Sequence, residues 1–210
     1  MNPILILDYA GIAVFAATGA LAASRKQLDV IGFIFFAAIT GIGGGTVRDL
    51  ILGVPVFWVV NPDYLLICVV TAVIVYFTAH LFESRYKMLL WLDAIGLAAY
   101  CVFGAWKAYS VTGSPVIAVT MGVITASFGG ILRDQMAGEP SIVLQREIYI
   151  TAALVGSAAY TGLVMAGLPV MTAAVPAAVA AFAIRGGAMK FGWSFPPYKA
   201  RPGRKPEDIT

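Results

Sequence analysis

Seven apolar runs, each long enough to cross a bilayer as a helix, follow one another along this chain with little between them. They cover residues 5–23, 30–52, 64–82, 88–108, 115–137, 147–166 and 168–188, and charged or Pro/Gly-containing breaks separate them. A hydrocarbon core needs about 20 apolar residues of helix, so seven spans use roughly 140 residues and leave no room for a soluble domain. Composition agrees: 60% of the residues are apolar and 12% charged, where a soluble domain carries about 25% charge. Mean hydropathy is +0.87. The opening stretch, MNPILILDYAGIAVF, lacks basic residues and carries Asp8, so it reads as the first span and not as a cleaved leader. The expected fold is an all-α integral membrane protein of seven transmembrane helices.

The basic residues set an orientation. Arg25, Lys26, Arg85, Lys87 and Arg146 fall on one side, with Arg185, Lys190, Lys199, Arg201, Arg204 and Lys205 at the C-terminal end. The other side receives Lys107 alone, from a loop. Lysine and arginine are retained on the cytoplasmic face. This predicts a multi-pass protein of the inner (plasma) membrane, with the N-terminus outside and the C-terminus cytoplasmic. The basic residues form no stripe, which argues against nucleic acid as a partner, and the Pro-rich tail after Trp193 is positioned to touch anionic membrane lipid. Cys68 and Cys101 lie inside apolar runs, so neither a disulfide framework nor a zinc site is indicated. His80 reads as interfacial, and Trp58, Tyr64, Trp91, Trp106 and Trp193 as an aromatic belt. No Ser/His/Asp or HExxH pattern occurs, and no strand precedes a glycine-rich turn. The chain is therefore read as no enzyme, without cofactor or resident metal.

A shift of 85 residues lays one half of the sequence on the other without a gap. Asp8 falls on Asp93, Gly11 on Gly96, Gly19 on Gly104, Thr40 on Thr125, Gly44 on Gly129 and Gly45 on Gly130. Arg48 falls on Arg133, Asp49 on Asp134, Gly53 on Gly138, Pro55 on Pro140 and Tyr64 on Tyr149. Each copy holds three spans, and an odd number sends the second copy in from the opposite face. The expected organisation is a first three-helix repeat over 1–86 and an inverted second repeat over 87–167. A seventh helix over 168–192 packs outside them, and a basic tail follows over 193–210.

The second span of each copy carries the unusual chemistry. One reads Gly41-Ile-Gly-Gly-Gly-Thr-Val-Arg-Asp49, the other Ala126-Ser-Phe-Gly-Gly-Ile-Leu-Arg-Asp134. Each glycine costs a helix about 1 kcal/mol relative to alanine, so paired glycines predict a kink or a break whose freed backbone groups face a wet cavity. An arginine or aspartate at mid-membrane costs about 2.5–3.5 kcal/mol, so these four side chains must be paired, displaced or hydrated. The candidate pathway residues are Gly43, Gly44, Gly45, Arg48, Asp49, Gly129, Gly130, Arg133 and Asp134. Asp8 and Asp93 read either as interfacial anchors or as carboxylates at the two mouths. Close packing at the Gly41/Gly45 spacing, with the Arg-Asp couples as structural ion pairs, is the competing reading.

The paired motifs GIGGGTVRDLILGVP and ASFGGILRDQMAGEP, in a chain of seven spans, resemble the prokaryotic members of the trimeric intracellular cation channel family over about residues 5–190. The resemblance implies a homotrimer with one ion path inside each protomer, lined by the first, second, fourth and fifth spans and narrowed at the glycines. It implies potassium as the main permeant ion, with sodium also passing. The lysine-containing KEV stretch of the animal members has no equivalent, because this chain reads Gly-Ile-Leu-Arg-Asp there. The alternative function is a secondary carrier for a small solute such as glycine, since inverted repeats suit alternating access equally well.

Overall fold

The computed structural model describes residues 3–144 and 148–196, with side chains from residue 8 onward except Leu144. The chain is helical throughout these residues, without strands. Helix α1 is Pro3–Arg25, α2 Val30–Leu52, α3 the single turn Phe57–Val60, and α4 Asp63–Thr78, extended by a 3-10 turn over Ala79–Leu81. The second half repeats the order: α5 is Arg85–Thr112, α6 Pro115–Met136, a 3-10 turn covers Ile142–Leu144, and α7 is Ile150–Met165. Helix α8, Val170–Phe191, follows. The seven long helices match the seven apolar runs. Helices α2, α5, α6, α8 and the stretch Asp63–Leu81 are long and apolar enough to cross a membrane by length and composition alone; α7 is a shorter apolar helix.

Local chemistry sets the helix ends. The Asp29 carboxylate accepts from the Gly32 amide at 2.8 Å and opens α2, and Gly53 closes it in the left-handed conformation at φ 66°. Ser114 caps α6, with Pro115 at its first position, where the missing N–H is harmless. Such caps satisfy end groups that have no intrahelical partner.

The three-helix units α1-α2-α4 and α5-α6-α7 have the same internal packing, each helix touching the other two. They meet through α1 against α5 and α2 against α6, while α8 packs on α5 and α7 of the second unit. Phe15 of α1 and Tyr100 of α5, equivalent positions 85 residues apart in sequence, meet across this interface with ring centroids 5.5 Å apart. Large apolar side chains on the outside stay exposed, among them Ile31, Phe35, Leu66, Ile74 and Val175. A surface of that character suits lipid and would be a liability in water.

Three expectations are corrected by this architecture. Lys107 is not in a loop: it sits in the last turns of α5, which runs on to Thr112. Arg185 does not belong with the tail: it is fully buried within α8. Of the kink or break expected at the glycines, the break is absent, because α2 and α6 are helical without a gap from end to end. Arg146 and residues 197–210 lie outside the described residues.

Candidate functional site

The glycines serve close approach. A Cβ on Gly44 would stand 2.2 Å from the Thr125 carbonyl oxygen, and one on Gly129 would stand 2.3 Å from the Thr40 carbonyl oxygen. These two contacts are dyad mates, so α2 and α6 cross backbone to backbone at the repeat interface. Gly19 and Gly104 repeat the device inside each unit, against Thr40 and Thr125 respectively. The hydroxyls of Thr40 and Thr125 are turned back onto the carbonyls of Phe36 and Met121, at 2.7 and 2.6 Å. Such back-bonding replaces the partner that hydrocarbon does not supply.

On either side of this crossing sits one Arg-Asp couple, and the two are built alike. Arg48 Nε donates to Asp49 Oδ1 at 2.8 Å, and Arg133 Nε donates to Asp134 Oδ1 at 2.9 Å. The other carboxylate oxygen of each aspartate accepts a backbone amide eight residues on, Phe57 N–H at 3.0 Å and Ile142 N–H at 2.9 Å. Each aspartate thus ties down the segment that turns back after its helix, past Gly53 or Gly138, both in the left-handed region. All four side chains are buried, with Asp134 the most accessible at 6%. Burying a charge costs several kcal/mol unless it is paired, which explains why no member stands without an opposite charge.

The clusters then diverge. At the Arg133 end, Nη1 donates to Asp93 at 2.8 Å and to the Thr18 hydroxyl at 3.0 Å, and the Tyr149 hydroxyl faces Asp93. Asp93 is therefore no interfacial anchor: it is fully buried and neutralised from α6. At the Arg48 end, the residue aligned with Thr18 is Phe103, and the guanidinium lies over the Phe103 and Phe57 rings at 5.5 and 5.9 Å. Arg48 Nη1 has no hydrogen-bond partner. Asp49 receives a second cation instead, Lys107 Nζ at 2.8 Å. Asp8, also buried, accepts from the Tyr64 hydroxyl and from the Tyr100 hydroxyl at 2.7 Å.

Gly43 faces Leu132 and the Gly129 Cα across the crossing; Gly45 makes room for the Phe57 ring, and Gly130 for Asp93 and Tyr149. The candidate pathway residues and the two candidate mouth carboxylates therefore fall at the crossing or in the two clusters. Tyr64 belongs to a cluster and not to an aromatic belt. Sequence reasoning missed Thr18, Tyr100, Phe103 and Lys107. The signal for most of them was the mismatch between copies: Tyr100 aligns with Phe15, Phe103 with Thr18, and Lys107 with Ala22. Two cavities reach the clusters. One, of about 360 Å³, is bounded by Arg25, Tyr86, Leu89, Asp134, Glu139 and Ile142. The other, of about 240 Å³, lies behind Asp8 between α5, α7 and α8.

The fold superposes on the solved TRIC trimeric intracellular cation channel orthologue from Rhodobacter sphaeroides with a TM-score of 0.89. The two chains are 49% identical over 92% of this chain and 100% of that one. The chain belongs to the prokaryotic TRIC channel family. The UPF0126 membrane protein of Vibrio cholerae is 38% identical over 92% of this chain and 82% of its own length. The UPF0126 inner membrane protein YadS of Escherichia coli K12 is 37% identical over 91% of this chain and 94% of its own. A family model described as "Glycine transporter" matches twice, over residues 5–80 and 90–165, at the same offset of 85 residues that aligns the two halves of this TRIC chain.

Proposed function

We propose that this protein is a potassium-permeable monovalent cation channel, a homotrimer whose path runs inside each protomer and narrows at the α2–α6 crossing. The reading rests on one observation above the others. Two matched clusters of carboxylates and bases occupy dyad-related positions at opposite ends of a crossing that only glycines permit. A membrane protein maintains buried charges at such cost chiefly along a route for ions or protons. The solved relative from Rhodobacter sphaeroides, described as a cation channel orthologue, supports the same conclusion.

The described conformation is the closed one. Arg133 bridges Asp93 and Asp134, and Arg48 with Lys107 covers Asp49, so each carboxylate that would meet a cation is engaged by a base, with Asp8 the exception. Opening then requires the bases to leave the carboxylates and the helices to part at Gly43, Gly44 and Gly129. Arg25, Lys26, Arg85 and Lys87 mark the Asp134 end as cytoplasmic, which sets the N-terminus outside. The larger cavity beside Asp134 is then the inner vestibule.

Purified trimer in a planar bilayer under asymmetric potassium chloride tests this. Single-channel currents should reverse close to the potassium equilibrium potential. Trimer that incorporates and yet passes no current rejects the channel. Saturable glycine uptake without current would favour the carrier instead, a reading kept alive by the family description that matches both repeats.

A further inference from the structure

The cavity behind Asp8 does not suit an inorganic ion. Its walls are Tyr100, Phe103 and Trp106 of α5, Tyr160 of α7 and Ala174 of α8, and Asp8 is the only charged residue among the described residues lining it. The three α5 aromatics step along one face, with centroids 5.7 Å apart from Tyr100 to Phe103 and 5.2 Å apart from Phe103 to Trp106. Hydrated potassium would lose its water there and gain one carboxylate. An engineered apolar cavity of about 150 Å³ accepts benzene. The 240 Å³ here has room for an aryl ring with a short alkyl arm.

The dyad says what should stand at the polar end. In the second copy the carboxylate of Asp93 is met by the Arg133 guanidinium at 2.8 Å. In the first copy the corresponding base, Arg48, is turned to Asp49, and no base among the described residues reaches Asp8 within salt-bridge distance. Asp8 is 8% exposed and accepts two tyrosine hydroxyls, while a carboxylate offers about four acceptor positions. A buried carboxylate with spare acceptors and aromatic faces along one wall is the environment in which organic ammonium groups are held. Val175 and Met171 on α8, at the cavity's rim, are exposed, so entry is open from the lipid side.

We propose that this cavity binds an arylalkylammonium, with the nitrogen on Asp8 and the ring against Phe103, Trp106 and Ala174. The site shares Asp8 with the conduction reading, but its test does not depend on that reading, since binding is measured without current. The probe is 4-phenylbutylammonium, titrated into the purified full chain in detergent with thermal unfolding as readout. It should raise the midpoint saturably, whereas 4-phenylbutanoate and 4-phenylbutanol should act at least tenfold more weakly. Asp8→Asn should weaken binding tenfold or more. Ala174→Phe fills the cavity and leaves Asp8 in place, so it should abolish binding even if Asp8→Asn fails to fold. A similar response to all three compounds, a linear unsaturable shift, or unchanged binding in Ala174→Phe overturns the site.

Discussion

The two arginines are chemically identical and symmetrically placed, yet their surroundings assign them different weights. Arg133 spans two aspartates and a threonine hydroxyl, so its removal leaves two buried carboxylates short of charge. Arg48 has one aspartate, which Lys107 also holds, and an unpartnered Nη1. Breaking a buried pair from one side costs about 3–5 kcal/mol. Arg133→Met should therefore lose about that much, and Arg48→Met about 2 kcal/mol less, with Lys107 compensating. Unfolding of both variants by titrated sodium dodecyl sulfate measures the difference; equal losses would show that the Lys107 contact does not carry charge balance. Asp49 and Asp134 resist such separation into roles, because each is at once an ion partner and the acceptor that anchors the returning chain.

At the scale of elements, the α2–α6 crossing decides how closely the repeats meet. Alanine at Gly44 or Gly129 would drive a methyl group into a backbone oxygen at 2.2 or 2.3 Å, and a backbone oxygen on a packed helix cannot step aside. The helices must separate, at a cost of about 1–3 kcal/mol. Gly43 meets the end of the flexible Leu132 side chain at 3.0 Å, so Gly43→Ala should be milder. Gly162 in α7 has open space around its Cβ position and ordinary helical backbone, and alanine there should stabilise by up to about 1 kcal/mol. The same detergent titration ranks the four variants. A Gly44→Ala protein as stable as Gly162→Ala would mean that the crossing is loose. The order expected from glycine count alone, with every glycine weakening its helix, is the one that this geometry replaces.

At the scale of the molecule, the two ends differ in how they are closed. The cavity beside Asp134 is bridged by Arg25 to Glu139 at 2.7 Å, with Lys26 at 3.4 Å, joining the end of α1 to the loop after α6. The residues aligned with Arg25 and Glu139 are Ser110 and Val54, so the opposite end has no such bridge. Both partners are part-exposed, and pairs of that kind contribute about 0–1 kcal/mol and weaken with salt. Glu139→Gln should leave stability nearly unchanged and raise open probability, an effect read from bilayer records at low ionic strength and diminished at 1 M salt. Unaltered gating in that variant would reduce the bridge to a surface contact.

Much of this was legible in the linear sequence, since lipid imposes rules that act on short stretches. Run length located all seven helices, and the odd number of spans per copy implied the inversion. The matched Gly, Arg and Asp positions identified both clusters. What the glycines do there was decided by the tertiary structure. A glycine pair permits either a broken helix or a close crossing, and only the neighbouring backbone at Thr40 and Thr125 selects the crossing. Partners were likewise out of reach: Lys107 with Asp49 is a contact 58 residues apart, and Tyr100 with Asp8 one 92 residues apart. Helix propensity and hydropathy are sums over neighbours along the chain, whereas charge pairing and closest approach depend on which surfaces the folded bundle brings together.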